Sequence, residues 1–261
     1  MGILNITPDS FSDGGKYKDI DSIVRQAKEM IEQGADYLDI GGESTRPGAK
    51  LVTEEEELRR VIPVIKRLAQ EVTVPISIDT YKAEVAKQAM MAGATIINDI
   101  GGGRFDNLMP EIMAKTEATV ILMHNRSINT INQGALTEYD DIVATVKNEL
   151  QESINLVLEA GVQPHKIIID PGIGFAKTIE GNIELMQRVG ELHDLGYPIL
   201  LGVSRKGTVG HLLGGLDVNN RLEGTLATTC FAQTKGVQLI RVHDVLENKR
   251  VIKVMEGLSN L

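Results

Sequence analysis

Eight short apolar runs recur along the chain, and nearly every one of them ends in a polar side chain. The segments between the runs have the spacing of amphipathic helices. Strands and helices that alternate in this way form parallel sheets with right-handed crossovers. Eight such units in about 250 residues match the usual size of a (β/α)8 barrel. The runs are GILN (2–5), DYLDI (36–40), PISIDT (75–80), TIINDI (95–100), TVILMH (119–124), KIIIDP (166–171), PILLGVS (198–204) and QLIRVHD (238–244).

The intervening helical segments end in a recurrent way. Segment 19–35 carries an apolar stripe at helical spacing and stops at Gly34. A glycine in the left-handed conformation is a common helix terminator. The same ending is predicted at Gly93, Gly161, Gly196 and Gly236. The acidic run TEEEELRR (53–60) is predicted to be a capped, solvated first helical turn, where acidic groups favour the helix N-terminus.

The chain is therefore predicted to be an α/β protein that forms a (β/α)8 TIM barrel. No linker or low-complexity segment divides it, so one barrel domain over residues 1–261 is expected. An open doubly wound sheet is the alternative. The lack of a G-x-G-x-x-G motif after the first run weighs against a dinucleotide-binding version of that sheet.

Charge and composition restrict the partners. The net charge of −9 disfavours nucleic acid and anionic membranes, although a local basic pocket can still bind an anionic small molecule. The single cysteine, Cys230, suggests a reducing compartment. No apolar run approaches the ~20 residues that span a bilayer, and the first residues do not resemble a signal peptide. A cytoplasmic protein with no membrane partner is expected.

Polar residues at the ends of the runs are predicted to converge. In a parallel barrel all the carboxyl ends share one face, which we call the barrel mouth. A single strand-terminal aspartate often only caps the following helix, but eight polar termini together favour a site. The residues concerned are Asn5, Asp39, Asp79, Asn98, His124, Asp170, Ser204 with Arg205 and Lys206, and Arg241 with His243.

The residue types suggest a ligand with two chemically different halves. Asp79, Asn98 and Asp170 offer acceptors that suit a flat heterocycle with several N–H donors, since a carboxylate accepts two parallel hydrogen bonds from an amidine-like edge. On the opposite side we expect a basic group that suits a phosphate. Its members are Arg46, Lys206, Arg241 and His243.

Potential metal ligands are few in the sequence, and glycine-rich loops follow several of the predicted strands. The scattered histidines and lone cysteine disfavour zinc, whereas Mg²⁺ carried in by a diphosphate needs only one or two protein oxygens, and Asn5 could supply one. Glycine-rich loops at 12–15, 41–48 and 100–105 follow predicted strands. They are either simple turns or, for the first two, lids that close over the reactants.

Several of these segments resemble the bacterial dihydropteroate synthases, in order along essentially the whole chain. The loop motifs, S-R-K and R-V-H are the specific ones, because other pterin-binding barrels share pieces like DPG and SIDT. The matching segments are MGILNITPDSFSDGG, DIGGESTRPGA, SIDTYKAEVA, INDI, LMHNR, DPGIGFAKT, GVSRKG and RVHDV. The resemblance implies a (β/α)8 barrel and a transferase of folate biosynthesis. That enzyme joins para-aminobenzoate to 6-hydroxymethyl-7,8-dihydropterin diphosphate, giving 7,8-dihydropteroate and pyrophosphate.

The resemblance also implies roles for residues. The pterin would contact Asp79, Asn98, Met123, Asp170, Phe175 and Lys206. The diphosphate would contact Asn5, Thr45, Arg46, Arg241 and His243, with Mg²⁺ near Asn5. The aminobenzoate would contact Phe11, Thr45, Pro47, Phe175, Ser204 and Lys206. The implied catalytic residues are Lys206, Arg241, His243 and Asp79.

The expected mechanism is early loss of pyrophosphate, because an aniline nitrogen is a weak nucleophile and a dihydropterin can delocalise the resulting positive charge. A homodimer is also implied, and the stretch 225–235 either forms the interface or packs on the barrel. Three alternatives remain. The first is a pterin-binding methyltransferase acting on a corrinoid protein, which would not need the STRPG loop or the Arg241–His243 pair. The others are a silent pterin-binding protein and a purely structural barrel.

Overall fold

The computed structural model describes residues 1–6, 16–44, 51–126 and 138–259, and its eight strands lie at the eight predicted runs. Six of them form one parallel sheet in sequential order, and the last two pair with each other. The strands are β1 Gly2–Asn5, β2 Leu38–Gly41, β3 Ile76–Asp79, β4 Ile96–Asp99, β5 Thr119–Met123, β6 Ile167–Asp170, β7 Leu200–Leu201 and β8 Leu239–Ile240.

Backbone hydrogen bonds close the two sheets into a barrel. Ile3 N donates to Val242 O over 2.9 Å, which joins the segment after β8 to β1. Ile169 N donates to Pro198 O over 2.9 Å, which joins β6 to the segment before β7. Closure leaves no free edge among the described strands. The predicted (β/α)8 barrel is therefore confirmed, and the open sheet was the wrong alternative.

Helices follow the strands along the described chain, and their ends are locally specified. The Thr53 side chain caps the second helix by accepting from Glu56 N, and four glutamates occupy its first turn, as predicted for the acidic run. The helices are α1 Lys16–Glu32, α2 Glu54–Glu71, α3 Ala83–Ala92, α4 Met109–Lys115, α5 Ile142–Glu159, α6 Ile179–Gln187, α7 Gly207–Leu212, α8 Leu222–Thr234 and α9 Val245–Ser259.

The predicted glycine terminators are confirmed. All five have a positive φ, between 75° and 115°, which is the region that a side chain disfavours. Each of the five ends a helical segment or the turn after it. The five are Gly34, Gly93, Gly161, Gly196 and Gly236. A local rule therefore fixes where the chain leaves each helix and re-enters the barrel.

The core has two apolar parts. The larger lies between the strands and the surrounding helices, as expected for parallel strands buried on both faces. The smaller contains Met1, Ile96, Ile121 and Leu200, whose side chains pack together separately from the larger part. These residues precede the carboxyl ends of their strands, so the polar strand ends lie beyond an apolar layer. Among the described residues, none of the helices combines the length and apolar content needed to cross a bilayer.

Candidate active site at the barrel mouth

Strand register places the predicted acceptors next to each other. Asp79 on β3 pairs in register with Asn98 on β4, and with Gly41 on β2 on its other side. Gly41 in turn pairs with Asn5 on β1. Because side chains alternate between the two faces of a strand, register partners point to the same face. The carboxyl ends of β1, β3 and β4 therefore carry polar side chains on one face, and Gly41 of β2 leaves a gap between the first two of them.

Arg241, just after β8, joins this row through two ion pairs. Its Nε donates to Asp39 Oδ2 over 2.5 Å, and its Nη2 donates to Asp79 Oδ2 over 2.6 Å. Asp39 is fully buried. Burial raises the pKa of Asp79, and the Arg241 charge opposes this shift. Burial acts to lower the pKa of Arg241, but the charges of Asp39 and Asp79 outweigh it, so that pKa is raised. The expectation that Arg241 lies opposite the carboxylates was wrong, because an uncompensated buried charge needs a partner.

Asp170, at the end of β6, faces the same mouth. Its Oδ1 accepts a 2.8 Å hydrogen bond from Gly172 N. Gly202 lies between the two halves, since a Cβ placed on it would be 3.8 Å from Arg241 Cβ and 4.0 Å from Asp170 Oδ2. Burial raises the pKa of Asp170, and Lys206 opposes the shift. The acid and the Arg241 side chain thus border one space, and the Arg241 charge acts to lower the pKa of Asp170.

Lys206 and Phe175 form the next side of the mouth. Lys206 Nζ donates to Ile173 O over 2.5 Å and lies 4.6 Å from the centre of the Phe175 ring, a cation–π distance. Burial lowers the pKa of Lys206 to about 8, with Asp170 opposing the shift. Phe175 also packs with Ile100 and Met123 in a small apolar cluster that is separate from the main core. This cluster forms an apolar wall beside the charged groups.

Ser204 and His243 are brought together across β7 and β8. The Ser204 hydroxyl lies 3.0 Å from His243 Nδ1 and accepts the His243 backbone N–H over 3.2 Å. The residue between Ser204 and Lys206 turns away. Arg205 has a φ of 59° and its Nε donates to Asp244 Oδ2 over 2.9 Å. Grouping Arg205 with the mouth residues was therefore wrong, because its guanidinium is held by a carboxylate after β8.

Asn5 has surroundings that fit a magnesium ion held by few protein oxygens. Its side chain is exposed, and a Cβ on Gly41 would be 3.8 Å from Asn5 Oδ1 and 3.6 Å from Asp79 Oδ2. Glycine therefore leaves space between an amide oxygen and a carboxylate oxygen, which are donors that Mg²⁺ prefers. Among the described residues, no cluster of three or more His, Cys, Asp or Glu side chains could hold a metal ion.

His124 does not belong to the mouth, although the sequence analysis placed it there. It is fully buried, with Nε2 2.9 Å from Glu149 Oε2 on α5 and Nδ1 2.8 Å from Lys177 Nζ. Lys177 also donates to Gly172 O and Phe175 O, each over 3.0 Å. The lysine at the end of the segment DPGIGFAK thus stabilises the conformation of that segment through hydrogen bonds to its carbonyl oxygens. The sequence reasoning assigned Lys177 no role, although a lysine closing a glycine-rich turn is a signal for such bracing.

A second buried ionic group lies beside the loop after β2. Lys82 Nζ donates to Glu43 Oε2 over 2.5 Å and also contacts the buried carboxylate of Glu57. Burial raises the pKa of Glu57, and Lys82 opposes the shift. The sequence reasoning missed this group because its members are far apart in the chain. The predicted site residues Phe11, Thr45, Arg46 and Pro47 lie outside the described residues.

Comparison with known proteins identifies the family of the chain. The family described as "Pterin binding enzyme" matches residues 1–243. The dihydropteroate synthase of Clostridium beijerinckii is 51% identical over 98% of this chain and 92% of its own length.

Two solved structures of Xanthomonas albilineans dihydropteroate synthase are also similar, and each comparison covers 100% of this chain and 93% of the other. One, with 4-aminobenzoic acid, has a TM-score of 0.92 at 42% identity. The other, in complex with 7,8-dihydropteroate, has a TM-score of 0.89 at 39% identity. The chain belongs to the dihydropteroate synthases, within the pterin-binding enzyme family.

Proposed function

We propose that the barrel mouth holds both substrates of the dihydropteroate synthase reaction, the ring on its acidic residues and the diphosphate on Arg241. The reaction joins para-aminobenzoate to 6-hydroxymethyl-7,8-dihydropterin diphosphate and releases pyrophosphate. The observation that carries the proposal is the position of Gly202, which leaves one space bordered by Asp170 Oδ2 and by Arg241. An acceptor for N–H groups and the side chain that carries the phosphate donor therefore lie beside the same space, and the Arg241 charge acts on Asp170.

The ring half of the site rests on unused acceptors. Asp170 uses Oδ1 for Gly172 N, and Asp79 uses Oδ2 for Arg241. Among the described residues, the second oxygen of each carboxylate accepts no hydrogen bond. Asn98 adds an amide, and the apolar cluster containing Met123 and Phe175 packs against the ring face. We therefore assign Asp79, Asn98, Met123 and Asp170 to the pterin.

The phosphate half rests on unused donors. Arg241 uses Nε and one N–H of Nη2 for carboxylates, and Nη1 has no partner within the described residues. The two carboxylates fix the plane of the guanidinium, so its remaining edge is preorganised for an anion. His243, held by Ser204, lies two residues further on. Asn5 would hold Mg²⁺, which when bound would neutralise charge on the diphosphate.

Lys206, Phe175 and Ser204 are assigned to the junction between ring and aminobenzoate. The Lys206 ammonium lies against the Phe175 ring and is close enough to Asp170 for the two charges to shift each other's pKa. In the proposed mechanism, the carbon–oxygen bond to the diphosphate breaks early. Asp170 and Asp79 stabilise the cationic pterin, Arg241 and His243 stabilise the departing pyrophosphate, and the aniline nitrogen then attacks. No covalent enzyme intermediate is needed.

The test is to incubate the purified protein with para-aminobenzoate, the pterin diphosphate and Mg²⁺, and to measure pyrophosphate and dihydropteroate. Equal amounts of both products are expected. A protein that forms neither product would contradict the proposal. Early bond breaking is tested by positional isotope exchange in the diphosphate without para-aminobenzoate. Exchange would support it, and strictly concerted isotope effects would contradict it.

A homodimer is proposed through the helices on the barrel wall. The outer faces of the last two helices carry exposed apolar side chains, with Phe231 40%, Val254 61% and Leu258 62% exposed. Covering such a patch is favourable by ~25 cal/mol for each Å² of apolar surface. Light scattering after size exclusion is expected to give twice the chain mass of 28.4 kDa. A mass of one chain at micromolar concentration would contradict the dimer.

A further inference from the structure

We propose that Asp39 is a positioning residue that makes Asn98 present its oxygen, and not its amide nitrogen, to the bound ring. The inference rests on the proposed function, since it concerns how Asn98 reads the pterin. Asp39 is a buried carboxylate in the middle of an apolar strand, and it is not among the residues assigned to a substrate.

The contact itself is simple. Asn98 Nδ2 donates to Asp39 Oδ2 over 3.2 Å, and both residues are buried. A carboxylate that is paired with a guanidinium is an acceptor only. The asparagine must therefore turn its NH₂ group toward Asp39, and its Oδ1 toward the other side. This acceptor therefore fixes the orientation of the amide. The Asn98 oxygen then accepts hydrogen bonds from the edge of the ring that donates them.

The same carboxylate oxygen also holds Arg241. Nε of Arg241 lies 2.5 Å from Asp39 Oδ2, so one atom connects the amide of the ring half and the guanidinium of the phosphate half. The other oxygen, Oδ1, is buried and has no hydrogen-bond partner among the described residues. Asn at position 39 can therefore keep its carbonyl at the Oδ2 position and preserve both hydrogen bonds while losing the charge.

Removing the acceptor tests the orientation directly. Asn98→Asp places two carboxylates against each other, so one must take up a proton or turn away. Asp39→Leu has the same branched shape as the aspartate but offers no acceptor, so the Asn98 amide is no longer held in one orientation. The probe is a pterin without phosphate, and its dissociation constant is measured by calorimetry at pH 8 for wild type and each variant.

The expected results are graded. Asp39→Asn binds the pterin within about 3-fold of wild type, whereas Asn98→Asp and Asp39→Leu each bind it at least 10-fold more weakly. The contrast between Asp39→Asn and Asp39→Leu separates loss of the acceptor from loss of the charge. The matched control is Ser77→Ala, because Ser77 is the register partner of Asp39 and its buried Oγ has no partner among the described residues. It is expected to bind like wild type.

Two failures are distinguishable. A wild-type protein that binds no pterin contradicts the proposed function, and this inference with it. A wild type that binds, with Asp39→Leu binding as tightly as Asp39→Asn, contradicts the inference alone. If Asp39→Leu does not fold, Asn98→Asp carries the comparison. Binding at least 10-fold weaker than wild type then supports the inference, and binding within about 3-fold of wild type contradicts it.

Discussion

Arg241 Nη2 donates to Asp79 Oδ2 over 2.6 Å, which joins the segment after β8 to the end of β3 across the barrel mouth. The guanidinium neutralises buried acid, and we propose that its Nη1, which has no partner among the described residues, binds the diphosphate. Acidic and basic residues are therefore interleaved at the mouth and not segregated to two sides of it.

Replacing Arg241 by Gln is expected to lower kcat/KM for the pterin diphosphate by about 10²-fold or more, since a preorganised donor to the leaving group is lost. It should also destabilise the fold by about 3–5 kcal/mol, because Asp39 is left buried without its cation. Initial rates and urea unfolding measure the two effects. Arg188→Gln is the control, because Arg188 pairs only with exposed surface carboxylates. Similar kinetics for both variants would contradict the assignment.

Asp170→Asn is expected to abolish pterin binding without loss of the fold. The new amide keeps an oxygen for Gly172 N but turns N–H groups toward a ring edge that also donates. Burial raises the pKa of Asp170, so its charge is costly and the neutral variant should unfold no more easily than wild type. Calorimetry with a pterin and thermal unfolding measure both properties. Asp217→Asn, which changes an exposed cap, should bind normally. Retained affinity in Asp170→Asn would place the ring elsewhere.

The strands and helix ends were predictable because their signals are local. An apolar run of four or five residues is recognisable wherever it occurs, and a glycine such as Gly93 ends a helix through its own φ of 115°. β7 is shorter than predicted, covering only Leu200–Leu201, because the residues after it belong to the mouth loop. The convergence of polar strand ends followed from barrel topology alone.

The direction of individual side chains was not predictable, because it depends on partners far away in the chain. His124 follows β5 in the same way as Asp170 ends β6, yet it turns away to Glu149 and Lys177. The sequence predicts that Arg241 binds phosphate, but two of its N–H groups donate to Asp39 and Asp79. A charge inside the apolar run DYLDI requires a buried partner, but the sequence does not show which residue supplies it.

Gly172→Ala is expected to be strongly destabilising. A Cβ there would lie 1.9 Å from the carbonyl oxygen of His124, and the φ of 69° disfavours any side chain. Because the Gly172 backbone also donates to Asp170 and accepts from Lys177, pterin affinity should fall together with stability. Gly257→Ala is the control, since nothing lies within 4 Å of its Cβ position in α9, and it should stabilise by about 0.5–1 kcal/mol. Urea unfolding of both variants checks the opposite signs.

The buried pair of His124 and Lys177 predicts a dependence of stability on pH. Burial, together with the charges of Lys177 and Arg104, lowers the pKa of His124 to about 3, and Glu149 opposes the shift. A second proton on the imidazole would face the Lys177 ammonium, which needs Nδ1 as an acceptor. The unfolded chain binds that proton near pH 6.5 and the folded chain does not. Between about pH 6.5 and 3, stability therefore falls as the pH falls, by about 1.4 kcal/mol per pH unit from this group.

His124→Gln removes the titrating group and should make the unfolding free energy less steep in pH across that window, whatever its effect at neutral pH. Urea unfolding at pH 7.5, 6.5, 5.5 and 4.5 gives the slopes for wild type and variant. His165→Gln is the matched control, because His165 is exposed before β6 and should leave the slope unchanged. Lys177, whose pKa is lowered to about 7 by burial, titrates in wild type and variant alike, so the slopes should differ below about pH 6.5 and coincide above it. Parallel slopes for wild type and His124→Gln would mean that His124 is protonated in the folded protein, and that Lys177 is not held by its Nδ1.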